Sequence, residues 1–142
     1  MTRYLGVDYG TKRVGLAISD GLGLTARPLE VVSRFSAVSR VHELAVEFEV
    51  SAIVVGLPTS LRGEEGASAI AARVLGDELT ATTGVRVEYV DERFTSKLAE
   101  DALLKSGMKR RERRDKVDKV AAAIILQDFL DRQTDAGNSD AF

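Results

Sequence analysis

The chain has no cysteine and a single histidine among its 142 residues, and these gaps narrow the chemistry first. Without cysteine there is no disulfide, no thiolate metal site and no cysteine nucleophile. The lone histidine, His42, falls beside the apolar stripe of an expected surface helix and reads as a flanking residue, not a general base. No apolar run approaches the ~18 residues of a membrane span. The N-terminus lacks a charged leader followed by an apolar signal core. A cytoplasmic protein with no membrane association is the expectation.

Length suits one domain of ~100–150 residues, with a core that needs no covalent staples. Acidic and basic side chains nearly balance, 22 against 20, for a net charge of −2. That balance argues neither for nor against a polyanionic partner. The distribution is uneven, however. Lys109, Arg110, Arg111, Arg113, Arg114, Lys116 and Lys119 crowd one segment, against Glu112, Asp115 and Asp118. A basic cluster in an acidic chain is a candidate footprint for a polyanion; a solvated loop and helix start is the competing reading.

In chain order, Tyr4 to Asp8 and Arg13 to Ser19 read as strands joined at Gly10-Thr11-Lys12, where glycine permits a tight hairpin. Leu24 to Val32 reads as a third strand, and Pro28 places it at a sheet edge because proline cannot donate to the ladder. Ser33 or Ser36 is the expected cap of a helix with Phe35, Val38, Val41, Leu44, Ala45 and Phe48 on its apolar stripe. Ala52 to Gly56 is a continuous apolar run, as in a strand covered on both faces. Thr59 and Ser60 follow in a polar loop, Glu64 and Glu65 read as first-turn helix charges, and a helix from Ala67 to Thr82 carries Ile70, Val74, Leu75 and Leu79. Gly84 stops it. Val85 to Val90 reads as a fifth strand, Thr95 to Gly107 as a third helix and Lys116 to Leu130 as the last helix. Residues 133–142 are small and polar and are expected to form a disordered C-terminal tail, leaving 1–132 as a single domain. The order of elements predicts an α/β fold, a mixed sheet with helices on its faces.

One residue breaks the first apolar run. Asp8 sits within Leu5-Gly6-Val7-Asp8-Tyr9, where an ionised carboxylate needs a partner, a proton or a metal ion. Functional residues of such sheets gather at the carboxyl ends of the strands, and Asp8, Thr59-Ser60 and Asp91-Glu92-Arg93 all fall there. With Glu92, Asp118 and Asp115, Asp8 forms an all-oxygen donor set of the kind Mg2+ or Mn2+ prefers. Two such ions can activate water and stabilise the leaving oxygen of a phosphodiester. Lys12, Arg13, Arg93 and the cluster before Asp118 would hold the phosphates. Asp91 competes with Glu92 as the strand-end ligand, with helix capping as its other use. Asp115 and Asp118 share a helix face only if the helix already includes residue 115, and near a helix N-terminus the helix dipole alone also favours acids.

Four motifs occur in order: Gly6-Val7-Asp8-Tyr9-Gly10-Thr11-Lys12-Arg13-Val14-Gly15-Leu16-Ala17, Val54-Val55-Gly56-Leu57-Pro58, Asp91-Glu92-Arg93-Phe94-Thr95-Ser96 and Asp118-Lys119-Val120-Ala121-Ala122-Ala123-Ile124-Ile125-Leu126. Together they resemble the YqgF/RuvX family of pre-16S ribosomal RNA nucleases, relatives of Holliday-junction resolvases. The resemblance implies an RNase H-like fold with a five-stranded mixed sheet, its first three strands antiparallel, flanked by helices. It also implies a cytoplasmic, divalent-metal-dependent endonuclease that processes the 5′ end of the 16S ribosomal RNA precursor. Carried over by position, Asp8, Glu92 and Asp118 match the family's catalytic acids, and Asp115 is a further candidate ligand. Aromatic residues are few, 6% of the chain, so recognition is expected to lean on phosphates and shape instead of base stacking.

Three alternatives stay open at this level. The same acids would serve a resolvase cutting four-way DNA junctions, for which a two-fold symmetric substrate favours a dimer; a monomer would suit a ribosomal RNA end. A kinase of the actin or sugar-kinase type also opens with an aspartate and a glycine-threonine turn, but needs two such domains. A non-catalytic nucleic-acid-binding module is the third.

Overall fold

The computed structural model describes residues 2–10, 12–58, 65–91 and 110–140, the last helix through its backbone and through its side chains over 119–134. Five strands form one sheet: β1 (Tyr4–Tyr9), β2 (Arg13–Ser19), β3 (Ala26–Ser33), β4 (Ala52–Leu57) and β5 (Arg86–Asp91). The helices are α1 (Ala37–Glu47), α2 (Ala67–Thr83) and α3 (Arg110–Asp140), with a 3-10 turn at Arg34–Ser36 ahead of α1. The expected helix over 95–107, the loop residues Thr59 and Ser60, and Glu64 lie outside the described residues.

Strand order is β3-β2-β1-β4-β5. The β1–β2 and β2–β3 pairs are antiparallel, and the β1–β4 and β4–β5 pairs are parallel. This is the expected mixed sheet with an antiparallel opening meander. Pro28 does lie on an edge strand, and the β2–β3 register shifts between Leu16 and Ala17, leaving Leu29 as an extra residue in β3.

Alternation of side chains across the central strands splits the core in two. Leu5, Val7, Val14, Leu16, Ile18, Ile53 and Val55 pack with α1 and α2, through residues such as Val41, Leu44, Ala72 and Leu79. On the other face Tyr4, Ala17, Ala52, Val54 and Val90 pack with Ala122, Ile125, Leu126 and Leu130 of α3. Coverage on both faces explains why β4 reads as an unbroken apolar run and why β1 is apolar up to Asp8.

Local chemistry sets the helix ends. Ser33 Oγ accepts from the Ser36 amide at 3.3 Å, so Ser33 serves as the cap and Ser36 makes no side-chain cap bond. Gly84, at φ +71°, closes α2 in the left-handed region and donates its amide to the Thr80 carbonyl at 3.0 Å. Glycine reaches that region without strain.

Three sequence expectations change. Phe35 is not on the buried stripe of α1 but fully exposed, because it precedes the helix in a 3-10 turn whose three-residue period rotates it off the α-helical face. Ile70 and Val74 are also exposed, while Ala69, Ala72, Leu75, Gly76 and Leu79 face the sheet. Neighbouring helix positions differ by about 100°, so a helix seated on its small residues turns Ile70 and Val74 outward. Finally, α3 begins at Arg110, not Lys116, and continues past Leu130 to Asp140, through the segment expected to be a tail. Arginine, lysine and glutamate are good helix formers, and extending an established helix costs far less than nucleating one.

Candidate active site

Because β2 alone runs against the others, β1, β3, β4 and β5 end at the same side of the sheet. Asp8-Tyr9, the Arg34–Ser36 turn, Leu57-Pro58 and Asp91 therefore share one end. Asp8 lies in the central strand and is buried, with 5% of its surface exposed. Its directly opposed cross-strand partner is Gly15, which carries no side chain.

What the carboxylate faces follows from packing two residues earlier. Gly6 is on the same face of β1, and a Cβ there would stand 2.8 Å from Leu126 Cβ and 2.9 Å from the Ala122 carbonyl oxygen. Glycine lets α3 lie directly on the strand. At the other end of β1, the Tyr4 and Phe129 rings meet edge to face with centroids 5.4 Å apart. Rising numbers in β1 thus meet falling numbers in α3, and the two run antiparallel. Asp8 is two residues beyond Gly6, about 6.8 Å along a strand; position 118 is one turn before Ala122, about 6 Å along a helix. The helix accordingly brings position 118 level with Asp8. Since α3 starts at Arg110, positions 115 and 118 belong to one helix and lie on one stripe with Ala122.

On β5, Val90 packs into the α3-side core and Asp91 is exposed. Alternation puts Asp91 on the face opposite that of Asp8, which disfavours it as the strand-end ligand. Glu92, Arg93 and Lys109 lie outside the described residues. Arg110, Arg111, Arg113 and Arg114 occupy the first turns of α3, at the end of the helix nearest Asp8, in place of the loop that the sequence left open. Lys12 is exposed in the hairpin turn, and Arg13 opens β2 opposite Ser33. His42 is exposed on α1, as expected of a flanking residue.

Among the described residues no group of three or more histidine, cysteine, aspartate or glutamate side chains forms a metal cluster; of the expected ligands, only the Asp8 side chain belongs to that set. Its chemistry fits a hard cation, being a buried carboxylate with a glycine beside it. Glu65 pairs with Arg73 at 2.7 and 2.8 Å, and this bond holds the Glu65 carboxyl below its ordinary range. The pair stands at the start of α2, where the sequence had only first-turn charges.

Sequence reading missed Arg34. Its Nε donates to the Gly10 carbonyl at 2.9 Å, and its guanidinium lies 4.0 Å from the centroid of the Tyr9 ring. It joins the end of β3 to the strand that carries Asp8. No spacing or motif marks it; only the fold brings residues 34 and 10 together.

A mixed sheet in this order, with a buried acid at the end of its central strand and a helix laid antiparallel against it, is an RNase H-like fold. A solved structure described as T. thermophilus RuvC in complex with Holliday junction substrate has the same fold, with a TM-score of 0.55 over 94% of this chain and 97% of that one, at 21% identity. A family model described as RuvX, Holliday junction resolvase, matches residues 2–132, and the chain belongs to that family. Among its relatives, a protein of Anaeromyxobacter sp. (strain Fw109-5) is 47% identical over 132 residues, covering 91% of this chain and 96% of the relative. Another, of Lactococcus lactis subsp. lactis (strain IL1403), is 42% identical over 134 residues, covering 91% and 94%. Both bear the name "Putative pre-16S rRNA nuclease".

Proposed function

We propose that this chain is a divalent-metal-dependent endonuclease that hydrolyses phosphodiester bonds in structured RNA, acting in the cytoplasm on the 5′ end of the 16S ribosomal RNA precursor. The observation that carries the reading is the buried Asp8 carboxylate, placed at the strand end against the turn of α3 that contains position 118. The names of relatives at 42% and 47% identity supply the RNA context. Residues 1–132 form the nuclease domain and 133–142 an appendage to it. Among the described residues no helix is long and apolar enough to cross a membrane.

Asp8, Asp118 and Glu92 would hold Mg2+ or Mn2+, with Asp115 as a further ligand. Asp91 lies on the face opposite Val90 and Asp8, which leaves Glu92 as the proposed strand-end ligand. Bound ions would supply an activated water and charge stabilisation at the leaving oxygen. The chain's own contribution is positioning. Burial keeps bulk water from the Asp8 carboxylate, Gly15 adds no side chain opposite it, and α3 fixes the spacing. Lys12, Arg13, Arg93, Lys109 and the arginines at 110, 111, 113 and 114 bind the phosphates.

Asp8→Asn should keep the fold and nucleic-acid binding while abolishing metal-dependent cleavage. Full activity in the purified variant would remove Asp8 from catalysis. The family description and the junction-bound structural relative favour a second reading, cleavage of four-way DNA junctions. Cutting of a junction and of a precursor RNA by one preparation, with Mg2+ or Mn2+ in turn, separates the two; a dimer in solution would favour the junction and a monomer the RNA.

A further inference from the structure

Phe35 is 101% exposed, the most exposed of the large hydrophobic side chains among the described residues. It is nevertheless held on a fixed turn. Ser33 Oγ lies 2.8 Å from Ser36 Oγ and accepts from the Ser36 amide. One side of the turn is tied to β1 by Arg34, through the Gly10 carbonyl and the Tyr9 ring. The helix that follows is clamped to β3 by Arg40, which donates to Glu30 at 2.7 Å. An aromatic ring on such a turn loses little conformational freedom when something stacks on it.

Its surroundings select the ligand. Gly10 lies two residues beyond Asp8, about 7 Å along a strand, so the turn stands at the same sheet end as the acid, across the strand from α3. No carboxylate among the described residues pairs with Arg34, and Lys12 is exposed in the adjoining hairpin. An exposed ring beside exposed cations is the arrangement that binds single-stranded nucleic acid, the cations taking the backbone and the ring a base. A duplex offers no free base face at its side. An unpaired nucleotide does.

We infer that the 33–36 turn is a contact for the unpaired part of the substrate strand, with Phe35 stacked on a base and Arg34 directed to its phosphate. The contact lies beside the cleavage centre and would favour a phosphodiester next to unpaired nucleotides. The inference rests on the nucleic-acid reading above.

Binding is to be measured in the Asp8→Asn background, with two RNA duplexes identical except that one carries a single-stranded overhang. Phe35→Ala should unfold like its parent, since the ring touches nothing, and should bind the overhang RNA about 5- to 150-fold more weakly with blunt-duplex affinity unchanged. The chain has no tryptophan, so Phe35→Trp supplies a single reporter whose fluorescence should be quenched by the overhang RNA and not by the blunt one. Phe35→Leu keeps apolar bulk without a π-face and should behave like the alanine variant. Full affinity in the alanine or leucine variant, equal losses on both RNAs, or an unquenched tryptophan overturns the stacking contact while leaving the nuclease reading intact. Failure of the parent to bind either RNA overturns the RNA-substrate reading on which the inference rests.

Discussion

A Cβ on Gly6 would stand 2.9 Å from the carbonyl oxygen of Ala122, closer than side chains tolerate against backbone. That contact sets the separation of β1 and α3, and with it the distance between Asp8 and the helix positions proposed as its partners. The site is therefore sensitive to a residue that carries no functional group.

Gly6→Ala should lower stability by about 1–3 kcal/mol, the usual cost of overpacking a filled core, as read from urea unfolding. Cleavage should fall further than the unfolded fraction explains, because the helix must shift to admit the methyl group. Activity that merely tracks stability would show that the spacing of β1 and α3 does not limit the chemistry.

Gln127 fastens α3 to β3 and the turn before it. Its Oε1 accepts from the Ala26 amide at 2.9 Å, and its Nε2 donates to the Leu24 carbonyl at 3.0 Å and to Asp131 Oδ1 at 2.9 Å. Gln127→Ala should cost about 1 kcal/mol, as expected for a partly buried amide left without its acceptor. Faster hydrogen exchange at the Ala26 amide would localise the effect.

The arginines at the start of α3 are expected to meet phosphates. Replacing Arg110, Arg111, Arg113 and Arg114 by alanine should weaken RNA binding and flatten its dependence on salt, by up to about 3 in the slope of log affinity against log salt for four lost contacts to single strands. An unchanged slope would take these residues out of the interface.

Glu65 titrates below its ordinary range because Arg73 donates two hydrogen bonds to it, with burial opposing and charge attraction assisting. A lowered acid makes its stabilising contribution above the unfolded pKa and loses it as pH falls through the folded one. Arg73→Ala should return the Glu65 titration, followed by NMR, towards an ordinary glutamate. Both groups are largely in water, so the change in overall stability should be small.

The sequence shows the sheet well, since burial on both faces makes β4 a continuous apolar run and β1 one broken only by Asp8, and a proline marks the edge. It also shows Asp8, the one acid inside such a run. Which side of a helix faces inward is harder to read. Ile70 and Val74 satisfy the same spacing as Leu75 and Leu79, and the choice between them depends on small residues settling against the sheet. Arg110 to Lys116 carry no apolar period and so read equally as loop or helix. Asp91 and Glu92 are adjacent, so sequence alone does not choose between them; strand alternation shows only that Asp91 faces away from Val90. Arg34 and Gly10 meet through the fold alone.

The bulge at Leu29 and the proline beside it bear on self-association. Pro28 offers no amide hydrogen, the extra residue breaks the even spacing of the ladder, and Arg27 and Glu30 flank the interruption. An incoming strand would find an irregular, charged margin with a missing donor. Two copies of this chain cannot readily fuse their sheets along β3, which leaves the β5 edge, the helices and the loops for any self-association. The strand ends that carry Asp8 are thereby spared from being enclosed by lateral growth of the sheet on that side.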